Sequence, residues 1–156
     1  MFKIIFKILI TLLLFHTTCF TQTSWKKSLD GSISFSQVSL DNWVAGGDNS
    51  WSWQCNLNGN LDKKTTTNNW TNSLKIIYGM SQLGDQSPRK SADEFKFDSV
   101  FTFSKSNFLN PYISFQALTQ LASCIDYKND PDKIVSYTFD PLYITESAGF
   151  EYNLFG

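Results

Sequence analysis

The chain has 156 residues, enough for one domain with a sizeable core but not for two domains of ordinary size. Aromatic residues make up 16% of it and charged residues only 17%, below the roughly 25% of ordinary soluble domains. The net charge is −1 and no basic cluster is present, which excludes a nucleic-acid-binding surface.

The first 21 residues have the pattern of a secretory signal peptide. Lys3 supplies a charged start, an apolar run interrupted only by Lys7 and Thr11 extends to Phe15, and polar residues follow as far as Thr21. The run is too short for a membrane-spanning helix, which needs about 20 residues. We therefore predict a signal peptide over residues 1–21 and a mature β-barrel domain over residues 22–156, with lipidation of Cys19 as an alternative to simple cleavage.

Apolar residues recur at every second position along most of the mature chain, which is the period of a β-strand. The clearest run is 50–62, where Trp51, Trp53 and Leu57 alternate with serine and amide residues. Further alternating runs predict six more strands, at residues 33–40, 70–80, 94–104, 112–121, 135–139 and 148–154. The predicted fold class is all-β, an antiparallel up-and-down meander of about seven strands that forms part of a β-barrel.

The predicted connections differ in length in an alternating way. The longer ones are residues 41–49, 83–93 and 122–133, and the shorter ones are 63–69 and 105–110. Outer-membrane barrels show this asymmetry, with short periplasmic turns and longer external loops. If the mature N-terminus lies in the periplasm, we expect the longer connections to face outward.

The chemistry of the two strand faces favours a membrane barrel over a soluble one. The polar face of residues 50–60 carries small and amide side chains without charge, which suits a lumen better than a surface in bulk water. On the other face, aromatic residues stand near both strand ends, as membrane interfaces select: Trp51, Trp53, Trp70 and Tyr78. We therefore predict an outer-membrane location with the lipid bilayer as partner; the alternative is a soluble periplasmic barrel that binds an apolar ligand.

Three charged side chains, Lys75, Lys96 and Asp98, point to the predicted polar face. They are candidates for lining a pore, and we expect them to pair with one another across strands and plug a narrow lumen. The sequence does not identify a transported solute. The predicted function is a structural, transport or surface-binding role in the outer membrane.

Several short motifs together resemble a known family. In chain order, they are Asn42-Trp43-x-x-Gly46-Gly47-x-Asn49-Ser50, Arg89-Lys90-Ser91-x-Asp93, Thr119-Gln120, and Phe139-x-Pro141-x-Tyr143 followed by Gly149 and Tyr152. Their order and spacing resemble a family of the Bacteroidetes group catalogued as domain of unknown function 3078 (DUF3078). The resemblance implies an outer-membrane β-barrel and no particular activity.

About seven strands is fewer than the even number, eight or more, that closes a single-chain bacterial barrel. The resembled family also continues past the position of Gly156. We therefore expect the barrel domain to be incomplete at its C-terminus; the alternative is that copies of the chain join edge to edge.

The sequence argues against an enzyme. Signal cleavage would remove His16, the single histidine, so histidine-dependent Ser or Cys catalysis is not available to the mature chain. Paired carboxylates for glycoside hydrolysis need a cleft, and nothing indicates one around Asp62, Glu94 or Asp98. We predict no catalytic residues and no cofactor.

Other motifs have simpler interpretations than binding sites. Gly46-Gly47 leads into a strand and not a helix, so it predicts a turn and not a phosphate cradle. The loop that contains Asp126, Asp130 and Asp132 has residues typical of a turn, so we predict a turn there and no metal site. The opposite charges of Arg89-Lys90 and Asp93-Glu94 are read as a solvated rim, and Cys55 and Cys124 as unpaired thiols.

Overall fold

The computed structural model describes residues 25–41, 46–104, 109–127 and 130–152. It shows eight strands, of which six form the main sheet. Their bounds are β1 Trp25–Val38, β2 Ser50–Lys64, β3 Asn68–Leu83, β4 Arg89–Phe103, β5 Leu109–Thr119, β6 Cys124–Asp126, β7 Asp130–Ser136 and β8 Tyr143–Tyr152. The signal-peptide prediction for residues 1–21 lies outside the described residues.

The main sheet is an antiparallel meander with the order β1-β2-β3-β4-β5-β8. The β2–β3 turn at residues 65–67 lies at one end of the sheet, which we call the hairpin end, together with the start of β1. The opposite end, with the β1–β2 and β3–β4 connections, is called the loop end. Because six strands run alternately, β8 finishes at the hairpin end where β1 begins.

The prediction of an antiparallel all-β meander is confirmed, but the count of about seven strands in it is wrong. Val135 and Ser136 end β7, which pairs only with β6 in a separate two-stranded sheet. The rest of the predicted strand at 135–139 is a turn, in which Phe139 has a φ of 61° and Asp140–Pro141 is cis. The sixth position in the main sheet belongs to β8.

Strand ends differ from the prediction wherever polar residues interrupt the alternation. β1 begins at Trp25, before the predicted Ile33, because backbone pairing with β2 continues through Lys26, Lys27 and Asp30. β4 begins at Arg89, so the connection predicted at 83–93 shrinks to residues 84–88. A β-bulge between Gly79 and Met80 keeps this polar end of β4 paired with β3. The connection predicted at 122–133 contains the β6–β7 hairpin.

The main sheet does not enclose a hydrophobic core of the usual kind. No hydrophobic side chain within the described ranges is buried, and Leu29 and Ile33 on β1 are 71% and 78% exposed. β1 and β8 occupy the two edges of the sheet. The strand alternation therefore produces one apolar face that no other described element buries.

Candidate functional site

The register assigns every residue of the main sheet to one of two faces, because directly paired residues on antiparallel strands share a face. The face that carries Trp53, Leu57 and Ile76 is called the apolar face. The face that carries Gln54, Asn56 and Lys75 is called the polar face. The polar face is the first candidate for function, since it gathers most of the hydrogen-bonding side chains.

Amide and hydroxyl groups link β1 and β2 across the polar face. The Asn56 amide donates to Ser32 Oγ at 3.3 Å, and the Asn60 amide donates to Ser28 Oγ at 3.2 Å. Gln54 Nε2 donates along the strand to Asn56 Oδ1 at 2.7 Å. This part of the face offers neutral donors and acceptors.

Charged side chains meet in the middle of the polar face on β3, β4 and β5. Lys75 and Lys96 lie directly opposite each other, and each has its own acidic partner: Lys75 Nζ is 3.0 Å from Glu94 Oε1, and Lys96 Nζ is 3.3 Å from Asp98 Oδ2. Asp98 also accepts hydrogen bonds from Ser73 Oγ at 3.3 Å and Gln116 Nε2 at 2.6 Å.

These contacts refine the sequence-based interpretation of the charges. Lys96 and Asp98 form a pair, but it lies along one strand, β4, and not across strands as predicted. Lys75 pairs with Glu94, which the sequence interpretation had left among the rim charges. The four charges compensate one another, so this region carries no net charge.

A second polar group, called the anchor cluster, consists of Lys90, Asp93, Thr119 and Gln120 at the loop end. Lys90 Nζ lies 2.6 Å from Asp93 Oδ2, with the two side chains only 11% and 4% exposed. The same ammonium donates to the Ala122 carbonyl at 2.7 Å and to Gln120 Oε1 at 3.3 Å. The solvated-rim interpretation is therefore wrong for Lys90 and Asp93, because the chain after β5 folds over them.

The carboxylate of Asp93 completes this arrangement by accepting backbone hydrogen bonds. The N–H of Leu121 donates to Asp93 Oδ1 at 2.7 Å, and the N–H of Ala122 donates to Oδ2 at 3.0 Å. A charged acceptor shared by two backbone donors and an ammonium is among the stronger polar arrangements in proteins. The cluster thus fixes the segment that leaves β5 against the start of β4.

Thr119 and Gln120 extend the anchor cluster to the turn before β8. Thr119 Oγ1 donates to the Pro141 carbonyl at 3.0 Å, and Gln120 Nε2 donates to Ser136 Oγ and to the carbonyls of Tyr137 and Asp140. The backbone N–H of Phe139 donates to the Gln120 carbonyl at 3.0 Å. The motif residues from three distant parts of the sequence therefore converge on one connection.

The glycine-rich motif shapes the connection from β1 to β2. Gly46 and Gly47 have φ values of 80° and 140°, which favour glycine, and a Cβ on Gly47 would meet Leu40 at 2.7 Å. Asn49 Oδ1 accepts a hydrogen bond from the Leu40 N–H at 2.7 Å. The segment leads into β2, a strand and not a helix, as the sequence predicts. Asn42 and Trp43 lie outside the described residues.

Gly149 on β8 has a packing role. It is paired with Tyr112 on β5, and a Cβ at Gly149 would meet the Tyr112 hydroxyl at 2.9 Å. The ring of Tyr112 therefore occupies the space that a larger residue would need. Tyr112 itself was not singled out from the sequence, and only the glycine in its motif pointed to this contact.

The aromatic residues predicted for the membrane interfaces all lie on the apolar face, in two groups. At the loop end, the Trp53 and Tyr78 rings are 5.8 Å apart, and Trp51 Nε1 donates to Gln82 Oε1 at 2.9 Å. At the hairpin end, Trp70 lies 5.8 Å from Trp25 and donates to Ser99 Oγ at 3.0 Å. Each group combines rings with polar partners.

Comparison with protein families identifies a match. The model of a family described as protein of unknown function DUF3078 matches residues 35–124, more than half of the chain. The chain belongs to the DUF3078 family. Lys90, Asp93, Thr119 and Gln120 all lie within the matched range, whereas Pro141 and Gly149 follow it. No curated protein and no solved structure matches the chain.

Membership of the DUF3078 family assigns no chemistry, so the side chains must indicate what the protein does. Within the described ranges, no three potential metal-binding side chains come together, and Cys55 and Cys124 are both free. The turn interpretation is wrong for Asp126, Asp130 and Asp132, because these residues lie in the strands β6 and β7. No helix in the described part of the chain is long and apolar enough to span a membrane.

Proposed function

We propose that this protein is an outer-membrane β-barrel protein of a Bacteroidetes bacterium, with a structural, transport or surface-binding role. The apolar face would contact lipid, and the polar face would line the interior. The loop end, with the β6–β7 hairpin, would face outward. Exported barrels satisfy every backbone group by strand pairing, which is why the bilayer accepts them.

The observation that carries this proposal concerns the apolar band, which is the stretch of apolar residues on the apolar face between its polar ends. This band runs obliquely to the rows of paired residues. The band's polar boundary at the loop end is Gln37 on β1 and Thr119 on β5. Thr119 pairs with Phe95 on β4, and successive pairings across β3 and β2 connect it to Gly31 on β1. Gly31 lies six residues before Gln37 in the sequence. The boundary therefore runs obliquely to the rows of paired residues.

The size of this slant matches the strand tilt of membrane barrels. Six residues at about 3.3 Å each, over four strand spacings of about 4.8 Å, give an angle of about 45°, close to the 35–45° tilt of outer-membrane strands. The slant continues to β8, because successive strand pairings connect Lys27 on β1 to Glu146 on β8. This row of paired residues starts at the hairpin-end boundary of the apolar band, at Lys27. It finishes at the loop-end boundary of the band, at Glu146.

The exposed apolar face also supports a lipid environment. Monomeric soluble proteins rarely expose continuous apolar patches larger than a few hundred Å². Here the apolar face extends across all six strands, and none of its hydrophobic side chains in the described part of the chain is buried. Lipid acyl chains would cover such a surface completely.

A soluble periplasmic barrel that binds an apolar ligand is the second candidate, and one feature favours it. A cavity of about 770 Å³ lies largely against the apolar face, between Trp70, Phe101, Ile113 and Phe115. In a soluble barrel, this face would turn inward and the cavity would hold the ligand. The two candidates differ in which face meets water.

Cell fractionation separates the two candidates. Because the apolar face would otherwise aggregate, we expect the exported protein in the outer-membrane fraction, soluble only with detergent and changing its gel mobility on boiling. A soluble periplasmic protein that stays monodisperse without detergent would contradict the membrane proposal and support the soluble barrel.

A further inference from the structure

A cavity of about 320 Å³ opens on the polar face at the hairpin end, away from the anchor cluster. Three neighbouring strands line it with polar side chains, namely Lys26, Asp62, Lys64, Asn69 and Thr71. Small-molecule sites usually occupy about 300–1,000 Å³. The volume therefore suits a compact solute.

Asp62 stands at the centre of this group. The register places it between Lys26 on β1 and Thr71 on β3. Its Oδ1 atom is shielded from solvent and has no hydrogen-bond partner among the described residues. A carboxylate that lacks a donor on one oxygen is unfavourable, so the Asp62 carboxylate favours a hydrogen-bond donor from outside the chain.

The charges around Asp62 define the complementary group. Lys26 and Lys64 donate only, Asp62 as a carboxylate accepts only, and Asn69 and Thr71 do both. Two ammonium groups against one carboxylate leave the cavity with one positive charge. A matching solute carries a negative charge for the lysines and, beside it, a hydroxyl that donates to Asp62.

We propose that this cavity binds a small polyhydroxylated carboxylate, a sugar acid, with its carboxylate between Lys26 and Lys64 and a hydroxyl donating to the Asp62 carboxylate. The site goes beyond the proposed membrane role and does not depend on it. Its residues share one face whether that face lines a lumen or meets open water.

Calorimetric titration of the purified full-length protein with three probes tests the ligand class. Gluconate carries both groups, acetate only the charge and glucose only hydroxyls. Hydrogen bonds to charged groups are about twice as strong as neutral ones, so gluconate should bind at least about tenfold more tightly than either other probe. Equal affinities for gluconate and acetate would overturn the proposal.

Substitutions assign the two interactions to their residues. The double variant Lys26→Met/Lys64→Met should weaken gluconate binding at least about tenfold. Asp62→Asn should bring the gluconate and acetate affinities close together, because the hydroxyl loses its charged acceptor. If Asp62→Asn does not fold, the lysine variant alone decides.

The control is Lys27→Met/Lys63→Met, which removes the adjacent lysines of the opposite face. This variant should leave gluconate affinity within about twofold of the original. Equal loss in the control and the Lys26/Lys64 variant would show a diffuse charge effect and overturn the site. If the membrane proposal is wrong, cell fractionation will show it. The ratio of the gluconate and acetate affinities does not depend on that proposal.

Discussion

Replacing Asp93 with leucine should destabilise the folded protein by about 3–5 kcal/mol, the usual effect of removing one partner of a buried ion pair. The change leaves the Lys90 ammonium largely buried without its carboxylate and removes the acceptor for the N–H groups of Leu121 and Ala122. Urea unfolding of the refolded protein, in micelles if it needs them, measures the difference.

An exposed ion pair supplies the matched control for Asp93. Lys75→Met breaks the Lys75–Glu94 pair, in which the side chains are 47% and 36% exposed, and should change stability by less than about 1 kcal/mol. The double variant Lys90→Met/Asp93→Leu should recover part of the stability lost in Asp93→Leu, because it no longer leaves a buried ammonium without its carboxylate. Equal effects of Asp93→Leu and Lys75→Met would show that the anchor cluster does not hold the connection.

The second large effect concerns two adjacent residues of β2 that lie on opposite faces. Leu57→Arg places a charge in the middle of the apolar face and should cost about 2–4 kcal/mol of folding stability in vesicles, as for lipid-facing arginine near the bilayer midplane. Asn58→Arg places the same charge on the polar face and should have a much smaller effect. Reversible urea titration of both variants in lipid vesicles gives the comparison.

The relative sizes of the two stability losses show which face contacts lipid. A larger loss for Asn58→Arg would mean that the polar face is the one in contact with lipid or in a closed interior. Similar small losses for both would mean that neither face meets hydrocarbon.

Alternation in the sequence was sufficient to predict the central strands and their faces. β2 and β3 contain the predicted runs and β4 contains all of its run except Ser104, because residues such as Trp53, Leu74 and Phe97 follow the two-residue period. The prediction failed where charge breaks the period, at the start of β1. It also failed in the β6–β7 hairpin, where apolar residues lie in a strand outside the main sheet.

The anchor cluster shows why part of the site was beyond sequence reasoning. Its residues were identified one by one through the family resemblance, but Lys90 and Gln120 are separated by 30 positions. Their meeting depends on the register of β4 with β5 and on the turn before β8, neither of which the residue pattern determines. The alternation likewise does not indicate that Asp62 Oδ1 lacks a hydrogen-bond partner.

The most direct test of the membrane account is a spin-label scan of β4 in lipid vesicles. Single cysteines at residues 95–103, in a chain with Cys55 and Cys124 replaced by serine, would carry a nitroxide, and collisions with oxygen and with a water-soluble nickel chelate would be compared. The account predicts alternation, with labels at Phe95, Phe97 and Phe101 favouring oxygen and labels at Lys96 and Asp98 favouring nickel. Uniform access to nickel along the strand, or alternation of the opposite phase, would contradict it.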